Sequence, residues 1–369
     1  MNGMQPSAAG AIVKLTRREF ARGGIAIAAS GGMTRLPAVA ACVPERSRLA
    51  LRGVNLSGAE FGERMPGEYG KDYIYPGAAD LTAIARLGFN SVRLPFRWER
   101  LAPDMSGGFS EDEWRRLAEA IDLAERAGLR VILDVHNYAG RKVAADGYST
   151  EHKIGSPLLP AITFIDFCGE LAARCRAWPS LVLGLMNEPF GMAPEAWLAI
   201  ANSAIGRMRA TGSRHLILVP GVAYTGAHSW HASGNGVMAG IVDPRDNFAI
   251  EVHQYLDADS SGTHPDVVSA TIGAERIEAF QEWASGRGLR AYLGEFAAGS
   301  DALGRSAIIN LVAELERNAD VWIGWAAWGA GPWWPSDYIF RIDGTGVPNL
   351  YTRTLSELAR GTAKCEASR

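Results

Sequence analysis

The stretch LVLGLMNEP, residues 181–189, is a short apolar run that turns abruptly polar at Asn187 and Glu188. Leucine and valine at successive positions are typical of a parallel β-strand that is buried on both faces. Polar side chains directly after such a strand are costly unless they are paired or used in chemistry. The stretch therefore predicts an internal strand of an α/β fold, with Asn187 and Glu188 at its carboxyl end.

Similar runs lie on either side of this one, and helical patterns separate them. The eight strand candidates are Arg52–Leu56, Ser91–Pro95, Arg130–Val135, Leu181–Met186, His215–Val219, Phe248–His253, Ala291–Gly294 and Val321–Ala326. Eight βα units over roughly 310 residues predict a (β/α)8 TIM barrel. The alternative is an open doubly wound sheet, which usually carries a glycine-rich phosphate loop after its first strand. Residues 57–62 lack that GxGxxG pattern.

The helical stretches carry end signals of their own. Ser110 followed by Glu113 predicts a capping box at the start of one helix. Pro160 is expected to open the next helix along the chain. Cys168 and Cys175 lie on that predicted helix, about 10 Å apart and beyond disulfide reach. Both are therefore predicted to be small core residues.

Composition limits the remaining function classes. The chain has 369 residues, is 47% hydrophobic and carries a formal net charge of −3. These values are typical of a soluble globular protein, and the lack of a basic excess argues against a nucleic-acid partner. CxxC and HExxH patterns are absent from the sequence, so neither a metal nor a cofactor is predicted. We expect one catalytic domain over residues 47–362, a tail over 363–369, and a monomer.

The first 42 residues predict an export signal. Residues 16–22 hold paired arginines before a hydrophobe, and the apolar stretch 23–32 that follows is too short to span a bilayer. Residues 38–40 form a small-residue cleavage site, so the segment resembles a twin-arginine signal for periplasmic or secreted proteins. A chance arginine pair in a disordered tail is one alternative. Another is a lipobox at residues 39–42, with Cys42 as the lipidated residue.

Polar side chains interrupt the apolar runs at the carboxyl ends of six predicted strands. They are Arg93, His136, Asn137, Asn187, Glu188, His253, Gln254, Tyr255, Glu295 and Trp328. Strand carboxyl ends meet at one mouth of a barrel, where chemistry takes place. Glu188 and Glu295, on strands four and seven, face each other across that mouth. Glycoside hydrolysis needs such a pair, one protonated and the other kept charged by hydrogen-bond donors.

The motifs that carry a family resemblance coincide with these strand ends. They are RLPF (93–96), DVHNY (134–138), GLMNEP (184–189), HQY (253–255), GEF (294–296) and Trp328. The chain resembles glycoside hydrolase family 5 from about Leu51 to Tyr351. Residues 255–264 and 328–334 are similar to the cellulase subfamily shared by fungal and bacterial endoglucanases.

The resemblance implies a retaining endo-β-1,4-glucanase that acts on β-glucan, with Glu188 as acid/base and Glu295 as nucleophile. Retention implies carboxyl groups about 5–5.5 Å apart. Asn187 would contact the sugar 2-hydroxyl, and Trp328 would form the floor of the subsite next to cleavage, followed by a non-proline cis peptide. The residues implied to orient the glutamates and set their pKa values are Arg93, His136, His253 and Tyr255.

For several other residues the sequence leaves more than one role open. Sugar contacts are predicted for Asn137, Trp333 and Trp334, although the tryptophan pair would equally plug the barrel rim. Asp257 and Asp259 are expected to order a loop; substrate contact is the alternative, and a calcium site lacks full ligand spacing. A subsite role is also expected for the segment that contains His228, Trp230 and His231.

Two other functions compete with the glucanase. The first is a different family 5 β-glycanase, such as a mannanase, xyloglucanase or mixed-linkage glucanase, in which both carboxylates stay and the loops differ. The second is a catalytically silent glucan-binding protein. The intact glutamate pair argues against the second.

Overall fold

The computed structural model describes residues 47–105, 108–145 and 148–363. The predicted export segment 1–42, including Cys42, lies outside these residues, as does all but the first residue of the predicted tail. Eight parallel strands close into a barrel in the order β1, β2, β3, β6, β7, β8, β9 and β10. The predicted TIM barrel is confirmed, and β4 and β5 form a separate antiparallel hairpin.

The elements alternate along the chain as the sequence indicates. The strands are β1 Leu51–Leu56, β2 Ser91–Phe96, β3 Arg130–Val135, β4 Gly140–Ala145, β5 Tyr148–Lys153, β6 Val182–Gly184, β7 Leu216–Pro220, β8 Phe248–His253, β9 Ala291–Glu295 and β10 Trp322–Ala330. The helices are α1 Ala78–Arg86, α2 Trp98–Leu101, α3 Glu111–Arg126, α4 Ala161–Arg174, α5 Pro194–Ala210, α6 Ile272–Ser285, α7 Ala302–Arg317 and α8 Leu350–Arg360.

Two local predictions were only partly right. Ser110 caps α3 by accepting a hydrogen bond from the Glu113 amide at 3.4 Å, but the second half of the predicted capping box is absent. The buried Glu113 carboxylate accepts instead from the hydroxyls of Tyr73 and Tyr75, at 2.6 and 2.8 Å. Tertiary partners here outcompete the local one, because two buried hydroxyls would otherwise lack acceptors.

The two cysteines predicted to be core residues are buried and free. Cys168 lies on α4, as expected. Cys175 lies in a 3-10 turn, Cys175–Ala177, that directly follows the helix, so the predicted helix ends one residue early. Burial raises the pKa of the Cys168 thiol well above its usual value, which makes it an inert packing group.

The inside of the barrel is layered. Its amino-terminal half is filled by an apolar cluster to which most strands contribute one residue: Leu51, Ile132, Val182, Leu218, Ala249, Tyr292 and Ala326. Side chains two residues further along a strand lie on the same face. That spacing places Asp134 above Ile132 and Glu251 above Ala249, so a buried charged layer separates the apolar floor from the mouth.

The two ends of the described chain lie together at the amino-terminal face of the barrel. Residues 47–50 lead into β1, and α8 returns to the same face before the chain ends. The Arg52 guanidinium donates a hydrogen bond to the Ala359 carbonyl at 2.9 Å, which ties the two ends to each other. In the part of the chain that is described, no helix has the length and apolar character needed to cross a membrane.

Candidate active site

Arg93, on β2, is the centre of the charged layer. The residue is 1% exposed, so its positive charge has to be met by the protein. Its Nε lies 3.0 Å from Glu251 Oε1, and its Nη1 lies 3.0 Å from Asp134 Oδ2 and 3.2 Å from Glu295 Oε1. A planar fork of donors suits several carboxylates at once, which a lysine could not match. Arg93 thus links carboxylates from three other strands.

Two amide side chains complete the surroundings of Arg93. Its Nη1 donates to Asn55 Oδ1 and its Nη2 to Asn187 Oδ1, both at 2.8 Å. Asn55 in turn donates to the Gly294 carbonyl at 2.9 Å. With its oxygen held by Arg93, the Asn187 side chain has its amide group turned towards His136, 3.4 Å from Nε2.

Glu188 lies just beyond the short strand β6 and has a left-handed backbone, with φ of 44°. A residue other than glycine, asparagine or aspartate rarely takes this conformation, and such strain is concentrated at functional sites. Its carboxylate is buried, and Glu188 Oε1 lies 2.7 Å from His253 Nδ1. The backbone therefore aims Glu188 into the mouth, where His253 holds it.

Glu295 ends β9 and faces Glu188. The Tyr255 hydroxyl donates to Glu295 Oε2 at 2.7 Å, and Arg93 binds Oε1 from the other side. One carboxylate oxygen from each glutamate and a ring nitrogen of His253 all lie within 4.8 Å of one another. Two carboxyl groups this close are suited to attack on, and protonation of, a single glycosidic bond with retention.

The same three side chains could in principle ligate a cation. The geometry favours proton chemistry, because the 2.7 Å separation of His253 Nδ1 from Glu188 Oε1 is that of one short hydrogen bond between the two groups. Arg93 already supplies positive charge to Glu295 at 3.2 Å. The arrangement has what a hydrolytic acid–base pair needs.

Trp328, on β10, forms an apolar wall beside this pair. Its ring is half-buried, its Nε1 donates to the Tyr338 hydroxyl at 2.8 Å, and its plane lies 23° from that of His136. The Trp328–Gly329 peptide is cis, as the resemblance implied. A fixed indole face of this kind can pack against the apolar face of a pyranose ring.

Two acids in the charged layer were not singled out from the sequence. Burial raises the pKa of Asp134 to about 7, against the opposing charge of Arg93. Burial also raises the pKa of Glu251, again opposed by Arg93. Each acid interrupts an apolar strand two residues before a predicted histidine, His136 or His253. That two-residue spacing is the signal that could have identified them.

The prediction of a sugar contact for Asn137 is not supported by its surroundings. The side chain is buried; its oxygen accepts from the Trp98 amide at 2.8 Å and its nitrogen donates to Glu99 at 2.7 Å. Asn137 thereby fixes the start of α2 instead of lining the mouth. The prediction rested only on the position of Asn137 at a strand end. The direction of its side chain depends on how the chain turns after β3.

Of the three residues predicted from the segment after β7, only some lie beside the mouth. Trp230 is fully buried against Phe280 and Trp283, and the ring of His231 faces the Ala279 carbonyl, so a subsite role is wrong for Trp230. His228 does border a cavity that also contains Glu188 and His253. Burial, and secondarily a nearby arginine, lower the pKa of His228.

The remaining predicted contacts lie at the rim. Trp334 stacks on Tyr338 with ring centres 3.8 Å apart and meets Trp328 edge-on at 6.1 Å, so it buttresses the wall that Trp328 forms. Trp333 is half-buried beside it. Asp257 accepts hydrogen bonds from Ser261 and the amides of residues 262 and 263, an arrangement that favours the loop-ordering interpretation.

Known proteins resemble the whole barrel. The sequence profile of the family described as Cellulase (glycosyl hydrolase family 5) matches residues 48–331. Endo-beta-1,4-glucanase B of Emericella nidulans is 36% identical, over 85% of this chain and 92% of the relative. The solved endo-beta-1,4-glucanase Xac0029 from Xanthomonas axonopodis pv. citri is 41% identical with a TM-score of 0.80, covering 86% of this chain and 100% of that one.

A second solved relative was captured with an oligosaccharide. XacCel5A in complex with cellopentaose is 38% identical with a TM-score of 0.79, covering 84% of this chain and 99% of that one. Profile, sequence and structure agree over the part of the chain that contains both glutamates. The chain belongs to glycosyl hydrolase family 5, the cellulase family, and is a glycoside hydrolase.

Proposed function

We propose that the protein is a retaining endo-β-1,4-glucanase that cuts internal β-1,4-glucosidic bonds of soluble or amorphous β-glucan. The observation that carries the proposal is the buried pair Glu188 and Glu295, whose nearest carboxylate oxygens lie within 4.8 Å. Relatives named as endo-beta-1,4-glucanases match most of the chain, which supports this choice over other β-glycanases.

The reaction would proceed by double displacement. Glu295 attacks the anomeric carbon while Glu188 gives its proton to the departing glycosidic oxygen, leaving a glycosyl group covalently bound to Glu295. Glu188, now ionised, then takes a proton from water as that water attacks the anomeric carbon. The bond to Glu295 breaks, the anomeric configuration is restored, and Glu188 is protonated again.

The surrounding residues have matching roles in the proposal. Tyr255 and Arg93 hydrogen-bond Glu295 and so orient it and stabilise its charge when it leaves the sugar in the second step. His253 orients Glu188, and His136 acts through the Asn187 amide, which would bind the sugar 2-hydroxyl. Trp328, with Trp333 and Trp334 at the rim, would pack against the glucan.

The decisive experiment measures viscosity loss and reducing-end release together. Carboxymethyl cellulose, mannan and xyloglucan are incubated with the wild type, Glu188→Gln, Glu295→Gln and the exposed control Glu278→Gln. We expect a rapid viscosity drop on the cellulose derivative, retained in the control and reduced by several orders of magnitude in the other two variants, because each lacks one carboxylate of the pair.

Other outcomes would replace parts of the proposal. Activity on mannan or xyloglucan alone would keep the mechanism and overturn the substrate. Absence of hydrolysis on all three glycans, with glucan binding that both active-site variants retain, would favour a silent binding protein.

We also propose that the protein is a monomer exported through its twin-arginine-like segment. The paired arginines and the cleavage site in residues 16–40 support export. Plain secretion is preferred over lipidation of Cys42. Fractionation of cells that produce the wild type, an Arg17→Lys/Arg18→Lys variant and Cys42→Ser tests this: the arginine variant should remain inside, whereas membrane association lost only in Cys42→Ser would indicate a lipid anchor.

A further inference from the structure

Glu251 lies directly beneath the residue that holds Glu188. It is 1% exposed on β8, two positions before His253, so both side chains point into the barrel. Glu251 Oε1 lies 3.5 Å from His253 Nε2, and the opposite ring nitrogen, Nδ1, lies 2.7 Å from Glu188 Oε1. Nδ1 also lies 3.6 Å from Glu295 Oε2, so carboxyl groups face both ring nitrogens. The distance from Nε2 to Glu251 is that of an ion pair and not of a formed hydrogen bond.

The space around this contact admits little movement. A Cβ at Gly294 would lie 2.2 Å from Glu251 Oε1 and 2.8 Å from His253 Nε2, so any side chain at position 294 would displace both groups. On its other side, Glu251 Oε1 accepts from Arg93 Nε at 3.0 Å. The carboxylate is clamped between arginine, imidazole and a glycine backbone.

We propose that Glu251 is a positioning residue that keeps the neutral His253 ring protonated on Nε2, so that Nδ1 accepts the proton-bearing oxygen of Glu188. This inference rests on the proposed function, because it concerns the acid form of Glu188. A neutral imidazole carries one N–H, and the partner of each nitrogen decides which atom holds it. An ionised Glu251 at Nε2 draws the proton there.

The consequence for Glu188 is a preference for its protonated state. With Nδ1 as acceptor, a Glu188 hydroxyl has a partner and a Glu188 carboxylate has none from this ring. Without the charge at position 251, the imidazole can adopt the other tautomer, with its proton on Nδ1. In that form Nδ1–H donates to Glu188 and stabilises the ionised carboxylate. Glu251 thus favours the form that protonates the leaving group in the first step.

Other charged and titratable groups also act on Glu251. Those facing it from the surrounding strands are Arg93 on β2, Asp134 on β3, His136 beyond β3, His253 on β8 and Tyr292 on β9. Arg93 is the closest cation and favours the ionised carboxylate. Burial is the largest influence and raises the pKa of Glu251. Asp134 and Glu251 also repel each other as like charges when both are ionised.

The test uses Glu251→Gln, which keeps the shape and an oxygen for Arg93 but removes the charge. The alkaline limb of the kcat/KM profile reports the acid of the free enzyme. On phenyl cellobioside we expect this limb to move down by about one pH unit, a tenfold loss on its alkaline side. On 2,4-dinitrophenyl cellobioside, whose leaving group needs no proton, we expect little change.

Asp134→Asn is the matched control, because it also removes a carboxylate from Arg93 but its other bond is to His136. Its alkaline limb should stay at the wild-type pH. An unmoved or raised limb in Glu251→Gln overturns the inference, as does an equal loss on both substrates at every pH, which a merely structural role would give.

A measurement on the wild type keeps the inference testable if the variant does not fold. Nitrogen-15 chemical shifts of the His253 ring distinguish the two tautomers without any substrate. A proton on Nε2 in the wild type supports the inference, and a proton on Nδ1 or on both nitrogens overturns it. Since this readout does not depend on hydrolysis, its failure is distinct from failure of the proposed glucanase activity.

Discussion

Replacing Tyr255 by phenylalanine removes a single hydroxyl from the site. That hydroxyl donates to Glu295 Oε2 at 2.7 Å, and Tyr255 is 5% exposed, so water cannot readily take its place. A hydrogen bond to a charged group contributes about 1.5–3 kcal/mol. If the bond is fully formed when Glu295 leaves the sugar, its loss corresponds to a roughly 10- to 100-fold lower kcat.

The ring itself should remain in place. Tyr255 packs near Phe340, with ring centres 6.4 Å apart, and a Cβ at Gly262 would meet the Tyr255 ring at 2.6 Å, so phenylalanine fills the same tightly bounded space. We therefore expect a melting temperature close to that of the wild type. A large drop in stability would mean that the kinetic loss cannot be assigned to the hydrogen bond.

The assay is steady-state hydrolysis of 2,4-dinitrophenyl cellobioside, for which breakdown of the covalent intermediate is expected to limit kcat. The intermediate should accumulate in Tyr255→Phe and be visible as a burst of the nitrophenolate. A kcat within twofold of the wild type, in a folded variant, would refute the reasoning that this hydroxyl stabilises the departing carboxylate.

Three further substitutions address stability. Glu113→Ala leaves two buried tyrosine hydroxyls without their acceptor and should lower the free energy of unfolding by about 2–4 kcal/mol in urea titrations. Ala223→Gly relieves a left-handed residue with φ of 54° and should raise the same free energy by about 0.5–1 kcal/mol. Burial opposes ionisation of Asp243, but the hydrogen bonds from Arg209 outweigh it and lower the pKa of Asp243. Because a lowered carboxyl pKa stabilises the fold above the ordinary aspartate range, Asp243→Asn should destabilise the protein at pH 7, with a difference that vanishes as the pH falls through the folded-state pKa.

The first of these has a matched control, and each of the other two has an outcome that would contradict it. Asp112→Ala changes an exposed carboxylate in the same helical turn as Glu113 and should shift stability by less than about 0.5 kcal/mol. An equal loss in both variants would contradict the role of the buried hydroxyls. Ala223→Gly fails if stability falls, and the Asp243 argument fails if the difference from wild type is the same at pH 3 and pH 7.

The barrel could be predicted because its strands are encoded locally. The runs at residues 130–135 and 248–253 agree with the observed β3 and β8 at both ends. The fourth strand shows the limit of that reasoning, since LVLGLM predicts six residues and the ladder holds only Val182–Gly184. The chain beyond Gly184 bends to aim Glu188, and nothing in its hydrophobic pattern reports a change of backbone direction.

The site was predictable to the extent that it depends on strand ends. Arg93 was singled out because it interrupts an apolar run, and His253 and Tyr255 because they end or follow one. Glu251 was overlooked because an acid inside a strand has no meaning until the register places it beside Arg93 and His253. Asn137 shows the converse: it ends a run, but the turn after β3 directs its side chain to Glu99, so the structure does not bring it together with the other predicted residues.

The junction between the chain ends decides how the enzyme can be tethered. Residue 47 and residue 363 both leave the barrel from the face opposite to Glu188 and Glu295. A cell-surface anchor at Cys42, a fused binding module or an engineered linker would therefore attach at the face of the barrel opposite to the active site. Such an enzyme would present its cleft outward, open to the middle of a long polymer that never has to pass between the barrel and its support.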